Sequence, residues 1–365
     1  MSDIIKSLTE NQYHLENADW KSLQLKRIID NNTLEEIIAA SEDNYKVKSS
    51  DYYKGYKSER YKDLWKKKQI GKIIFHWGIR RLSFIAKPIF ERDGFIVPDT
   101  YYKDGAFYYH YELFVKAKSM DEEHDRVYYR AITDLYNFYS DYEWVFEKMA
   151  DIKSRNLFID LMTARIVHNP MIYFSLQEKC STQYFDEDII KISDEEVFVD
   201  VGGFDGDSTL DFIRFCSGKY EKIYFYEPSS KNYMRAEEKL AGFKAITFRN
   251  VGVSDKAGIL EFDDNLSKSK IEIGGADRIC TVKLDEDINQ RISFIKADTE
   301  GWEMEVLKGA ENHIRKDKPK IAISVYHKHS DLRVISKYLI SLNPQYKLYL
   351  RHYSNNYAES VLYAI

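Results

Sequence analysis

The stretch VFVDVGGFDGDST, residues 197–209, constrains the fold more than any other part of the chain. A run of apolar and β-branched residues reaches Asp200, then meets Gly202, Gly203 and Gly206 and an acidic, hydroxyl-bearing turn. A chain written this way ends a strand at a tight turn and re-enters a helix. In a nucleotide-binding α/β domain, such a turn lets backbone N–H groups and a helix N-terminus approach a ligand closely.

The sequence beyond it has the matching period. Short apolar segments EVFVDV (196–201), KIYFYE (222–227), AITFRN (245–250), ISFIKAD (292–298) and KIAISVYH (320–327) are separated by helical patterns. The clearest helix is SDLRVISKYLISLN (330–343), with Leu332, Ile335, Leu339 and Leu342 on one face and Ser330 or Asp331 expected as its cap. Apolar strands alternating with amphipathic helices predict a parallel sheet covered on both faces. By contrast, YKLYLRHY (346–353) and ESVLYAI (359–365), separated by SNNYA, read as an antiparallel hairpin. Five parallel strands closed by a hairpin is the chain order of class I S-adenosylmethionine-dependent methyltransferases. The expected fold class is therefore α/β, Rossmann-like, with a mostly parallel seven-stranded sheet.

Residues 1–190 read differently. In WVFEKMADIKSRNLFIDLMTARIV (144–167), Val145, Met149, Ile152, Leu157, Leu161 and Ile166 recur at helical spacing, so this part is expected to be mainly helical. The tyrosine-rich DTYYKDGAFYYHYELF (99–114), with Gly94, Pro98 and Gly105, interrupts that pattern and is left unassigned. Two domains are expected: 1–190, with an acceptor-binding or oligomerisation role, and 191–365, which binds the ligand. A chain of 365 residues with 44% apolar and 31% charged side chains can bury cores of that size.

The formal net charge of −5 gives no general attraction to nucleic acid or anionic lipid, so no nucleic-acid partner is expected. The basic stretch KSERYKDLWKKKQIGK (57–72) is interrupted by acids, in the manner of a solvated helix face. Cys180, Cys216 and Cys280, odd in number and widely spaced, argue for a reducing compartment and against a thiolate metal site. MSDIIKSLTENQYHLE has no apolar core of signal-peptide length, and IIFHWGIRRLSFIAKPIF (73–90) is cut by Arg80, Arg81, Lys87 and Pro88. No transmembrane segment and a cytoplasmic location are expected.

Glu227 ends the second strand about 20 residues beyond the glycine turn, the position from which a carboxylate binds ribose hydroxyls. Glycines and Glu227 alone suit NAD and S-adenosylmethionine equally, since both carry an adenosine. Asp200 separates them: a dinucleotide places an anionic pyrophosphate beside that turn, whereas S-adenosylmethionine brings a cationic sulfur and an ammonium group. A carboxylate suits the cation, so an NAD-linked oxidoreductase is disfavoured.

Five stretches, VFVDVGGFDGDST, KIYFYEPSSKNY, FRNVGVSDKAGILEF, FIKADTEGWEMEVLKGAENHIRKDKPKIAISVYH and LRHYSNNYAESVLYA, together resemble the FkbM family of S-adenosylmethionine-dependent methyltransferases over roughly 190–365. DIKSRNLFIDLMTARI and YFDEDIIKISDEE resemble the helical lead-in of members found among glycan-assembly enzymes. The resemblance implies S-adenosylmethionine as cofactor. Asp200, Gly202, Gly203 and Gly206 would hold its methionine end, with Ser208 and Thr209 near its carboxylate. Glu227 would take the ribose hydroxyls, and Val251 would lie along the adenine. Position 204 departs from the family pattern: it is Phe here, where many members carry Asn or Tyr.

Methyl transfer to oxygen requires a hydroxyl aligned with the methyl and relieved of its proton. Lys296 and Asp298 lie two apart on the fourth strand, Glu300 follows in the next turn, and His327 is expected to end the fifth strand, with His329 after it. The reading favours His327 as a metal-free base, with Asp298 orienting it or the acceptor. A divalent cation held by Asp298, Glu300 and His327 is the alternative, not favoured because no third carboxylate is evident. The function expected is O-methylation of a small-molecule or glycan hydroxyl. A non-catalytic module that keeps the cofactor fold in glycan assembly is the alternative.

Overall fold

The computed structural model describes residues 134–167, 182–262, 277–354 and 357–365, together with 25–26, 29–31, 36, 100–103, 106–109, 131, 173 and 176–178. The chain divides into two compact units that interleave along the sequence. One comprises Met1–Tyr139, Phe158–Gln177 and Ser354–Tyr357; the other comprises Ser140–Leu157, Glu178–Tyr353 and Ala358–Ile365.

In the first unit, β1 (Thr100–Lys103) pairs antiparallel with β2 (Ala106–Tyr109), Thr100 standing opposite Tyr109. This hairpin falls in the tyrosine-rich stretch that the helical reading left open. Its signal was present, because Asp-Gly between runs of aromatic residues favours a two-residue turn. The stretches 57–72 and 73–90, and Cys180, lie outside the described residues.

The helical spacing over 144–167 falls on two helices, α1 (Tyr139–Lys148) and α2 (Ile152–Val167). Asp151 causes the break: its Oδ1 accepts the Ser154 N–H at 2.6 Å, which makes it the cap of a new helix. The registers of the two helices then differ, and Ile152 is left 58% exposed.

The second unit continues with β3 (Val197–Val201), α3 (Asp207–Phe215), β4 (Lys222–Tyr226), α4 (Ser230–Leu240) and β5 (Ile246–Arg249). A small sheet follows, formed by β6 (Gly252–Val253), β7 (Gly258–Phe262) and β8 (Asp277–Val282), with β8 between the other two. Then come α5 (Leu284–Asp287), β9 (Phe294–Ala297), α6 (Glu303–Gly309), α7 (Glu311–Asp317), β10 (Lys320–Ser324), α8 (Asp331–Leu342), β11 (Leu348–His352) and β12 (Ser360–Ala364). The main sheet has the order β11-β12-β10-β9-β3-β4-β5. Its first five strands in chain order are parallel, and β12 is antiparallel to both β10 and β11. The seven-stranded, mostly parallel sheet and its terminal hairpin are as the sequence predicts; the small sheet is an addition.

All five residues of β3 are buried, as expected for a central strand covered on both faces. Phe198 stacks on Phe212 of α3 with ring centroids 4.1 Å apart, and Phe185 and Phe294 pack edge-on or tilted against them. Helix α8 buries Leu332, Ile335, Leu339 and Leu342 as expected. Ser330 stands at its N-cap as expected but makes no side-chain capping bond, and Asp331 Oδ2 accepts the Lys328 N–H in the preceding loop at 2.7 Å.

From β3 the sheet grows outward through β4 to β5, then resumes at β9 on the other side of β3. The order reverses between β3 and β9, and beyond their carboxyl ends such a reversal opens a crevice. Among the described residues, no helix is long and apolar enough to cross a membrane.

Candidate active site

A cavity of about 430 Å³ lies at this reversal. Gly202, Ser208, Glu227, Val251, Lys296, Asp298 and Glu300 line it; Asp200, Gly203, Gly206, Thr209 and His327 stand behind its wall.

The turn after β3 is held by charge from within. Asp200 is fully buried, its Oδ1 lies 3.1 Å from Lys296 Nζ, and its Oδ2 accepts from Ser208 Oγ at 2.7 Å and Thr209 Oγ1 at 2.6 Å. Lys296 also donates to the Gly202 carbonyl at 2.8 Å. Burial opposes its charge, but Asp200 and Asp298 outweigh it and hold the ammonium pKa above the usual lysine value. Asp200 meets a cation of the protein itself, the Ser208 and Thr209 hydroxyls are turned onto Asp200, and Lys296 is half of a buried pair. The glycines have packing reasons: Gly202 adopts φ +70°, and a Cβ there would come 1.9 Å from the Asp298 carbonyl oxygen, while one on Gly203 would enter the Phe225 ring at 2.1 Å.

Glu227 faces the cavity from the end of β4, 5% exposed. Its Oε2 accepts the Phe204 N–H and its Oε1 the Ser229 N–H, both at 2.9 Å. Burial raises its pKa to about 7, and the two backbone donors only partly offset that. Beside it, the side chain of Asn232, 1% exposed and lining the cavity, has neither its amide nitrogen nor its oxygen paired. A buried amide without partners is costly unless a ligand or water completes it. Phe204 sits on the same wall, 41% exposed and at φ +49°.

The lining also holds a dense group of acids, Asp298, Glu300 and Glu359. Asp298 Oδ2 accepts from Tyr184 Oη at 2.7 Å. Glu359 Oε2 accepts from Gln183 at 2.5 Å, and Tyr326 Oη lies 3.4 Å from both Asp298 Oδ1 and Glu359 Oε1. Burial first and Asp298 second raise the Glu359 pKa to about 7. His327 lies in the loop beyond β10 rather than at its end. Its Nε2 is 3.4 Å from Glu300 Oε2 and 3.7 Å from Asp298 Oδ1, and its Nδ1 is 2.9 Å from Glu303 Oε1. Burial would lower its pKa, but these three carboxylates raise it to about 11.

Glu303 was missed in the sequence, as were Gln183, Tyr184, Tyr326 and Glu359. A signal existed for Glu303: a glutamate in the first turn of a helix just after a glycine turn tends to accept from the amides behind it. Its Oε1 accepts the Thr299 N–H at 2.8 Å and the Gly301 N–H at 3.2 Å. Tyr326 directly precedes His327, and Gln183, Tyr184 and Glu359 come from segments distant in sequence; no local pattern marks any of the four.

Residues 200–355 match the model of the methyltransferase FkbM domain. Among solved structures, methyltransferase FkbM from Methylobacillus flagellatus KT is 26% identical with a TM-score of 0.58, over 65% of this chain and 62% of its own. The chain thus spans less than two thirds of that relative's length. An rRNA methylase from Streptococcus thermophilus is 16% identical (TM-score 0.33, 47% of this chain and 87% of its own). Aeropyrum pernix fibrillarin in complex with natively bound S-adenosyl-L-methionine is 11% identical (TM-score 0.32, 48% and 70%). At that distance neither of these two bears on the function of this chain. No curated protein matches the sequence. Over residues 200–355, from the glycine turn to the terminal hairpin, the chain is similar to the methyltransferase FkbM domain, in sequence and in fold.

Proposed function

We propose that the protein is an S-adenosylmethionine-dependent O-methyltransferase acting on a hydroxyl of a sugar or glycan intermediate. One observation carries this reading: a single cavity is lined both by an unpaired amide and a buried carboxylate, Asn232 and Glu227, and by the acids Asp298, Glu300 and Glu359. The first pair suits an adenosine. Glu227 has lone pairs left for the two ribose hydroxyls, Asn232 offers a donor and an acceptor, and Val251 would lie along the adenine. Gly202 and Ser208 would hold the methionine end.

The cofactor supplies a methyl group on a positively charged sulfur. The chain's own residues do the rest. Asp298 and Glu300, which face the cavity, hold the acceptor hydroxyl and take its proton as the oxygen attacks. His327 stands behind them and orients them, a change from the base role expected of it. The phenols of Tyr184 and Tyr326 and the amide of Gln183 suit a polyhydroxyl acceptor, which exchanges hydrogen bonds with such groups.

Purified protein, incubated with methyl-labelled S-adenosylmethionine and the sugars and nucleotide sugars of its host, should yield a labelled ether. Calorimetric binding of S-adenosylhomocysteine with no transfer to any hydroxyl would favour the non-catalytic module. Absence of binding would sink both readings.

A further inference from the structure

We propose that Asp298, Glu303 and His327 form a binding site for a divalent cation, of the magnesium or manganese kind, in the wall of the cavity. One carboxylate oxygen from each acid and one ring nitrogen of His327 all lie within 4.8 Å of one another. That spacing lets a single ion reach all three after small side-chain adjustments. The donor set, two oxygens and one imidazole, suits a hard or borderline cation.

A second observation is independent of the clustering. Glu303 and His327 have side chains only 1% and 9% exposed, yet Glu303 Oε2 and both His327 ring nitrogens lack a hydrogen-bond partner. Although Nδ1 lies 2.9 Å from Glu303 Oε1, the two are not aligned as a hydrogen bond. The Thr299 and Gly301 amides fix Oε1, so Glu303 keeps one oxygen open. Buried polar atoms without partners are destabilising, and a bound ion would satisfy one ring nitrogen of His327 together with a Glu303 oxygen.

Charge points the same way. Three carboxylates, Asp298, Glu300 and Glu303, surround one imidazole within 4 Å, so even a charged ring leaves the group net negative. The carboxylate expected to be lacking is Glu303. Lys296, a buried cation beside Asp298, is already paired to Asp200 at 3.1 Å.

Resting on the methyl-transfer reading, the ion would bind the acceptor hydroxyl and make it more acidic. Glu300, outside the ligand set, then takes the proton while the oxygen–carbon bond forms and the carbon–sulfur bond breaks. The electron pair of that bond returns to sulfur, leaving a neutral thioether.

The test uses manganese(II) alone with the full chain, in the absence of cofactor. Calorimetry and the loss of the free-ion EPR signal should report one ion per chain, and pulsed EPR should show coupling to a directly bound histidine nitrogen. Glu303→Gln and Asp298→Asn should each weaken binding at least tenfold, while Glu300→Gln leaves it nearly unchanged. No binding by the wild type, or binding without nitrogen coupling, overturns the site, and neither result depends on a variant folding. Binding of S-adenosylhomocysteine is measured separately: manganese binding without it would retain the ion and remove the methyl-transfer reading, and the reverse result would remove only the ion.

Discussion

Two turns leave adjacent parallel strands at the centre of the sheet, and they treat charge in opposite ways. The turn after β3 buries one carboxylate, Asp200, and surrounds it with an ammonium and two hydroxyls. The turn after β9 gathers Asp298, Glu300 and Glu303 around a single imidazole and leaves polar atoms unpaired. Both use left-handed backbone, Gly202 and Gly206 in the first, Glu300 and Gly301 in the second. The first pairs its buried carboxylate with a cation and two hydroxyls of the protein itself; the second holds excess negative charge. The louder motif is thus taken up by its own contacts, and the quieter one is the turn on which the proposed chemistry rests.

The sharpest break of this comparison is Asp298→Asn. Turnover should fall by about 10²–10⁴, yet the denaturation midpoint should hold or rise, because a repelling charge has gone. A large loss of stability in that variant would mean that both turns are scaffolds.

On the other side, Lys296→Met leaves Asp200 charged and buried without its cation and should cost roughly 3–5 kcal/mol in urea unfolding. Adding Asp200→Leu should restore part of this. If Lys296→Met alone is neutral, the Asp200–Lys296 pair does not hold the turn.

Smaller effects concern Glu227. Glu227→Ala should weaken S-adenosylhomocysteine binding by roughly ten- to a hundredfold, equivalent to about 1.5–3 kcal/mol for a lost bond to a charged group. Unchanged calorimetric affinity would remove Glu227 from the site.

The smallest effect is a slope. With its pKa raised from 4.5 to about 7 in the fold, Glu227 binds more protons folded than unfolded between those values. Stability of the ligand-free protein should therefore fall as pH rises from about 4.5 to 7, by roughly 1–3 kcal/mol. Glu227→Gln should flatten that part of the curve; Asp331, raised to about 7 by burial and then by Glu303, sets the slope that remains, together with Glu359.

Much of the fold was legible because its strands are buried on both faces and read as apolar runs: VFVDV and KIAIS announce themselves. The small sheet was not, since Gly252–Val253 is too short to show a period. The helix break at Asp151 is not visible in the apolar spacing, which continues across it; only the capping potential of Asp151 marks it. In the site, Glu227 and Val251 reach the cavity from positions the strand pattern fixes. Asp200 was assigned to the ligand because its partner, Lys296, is distant in sequence and adjacent only through β-sheet register. Tyr184 and Glu359 reach Asp298 in the same long-range way.

The position of β12 has a consequence for synthesis. Strand β12 lies between β10 and β11, so the apolar edge of β10, with Ile321 and Ile323, stays open until residues 360–364 have been made. At about 5–20 residues per second, ribosomal elongation leaves that edge waiting on the order of 2–7 s. An unpaired apolar strand edge recruits other strands. During that interval the nascent chain is a substrate for chaperones, and slow codons between β10 and β12 would lengthen its exposure.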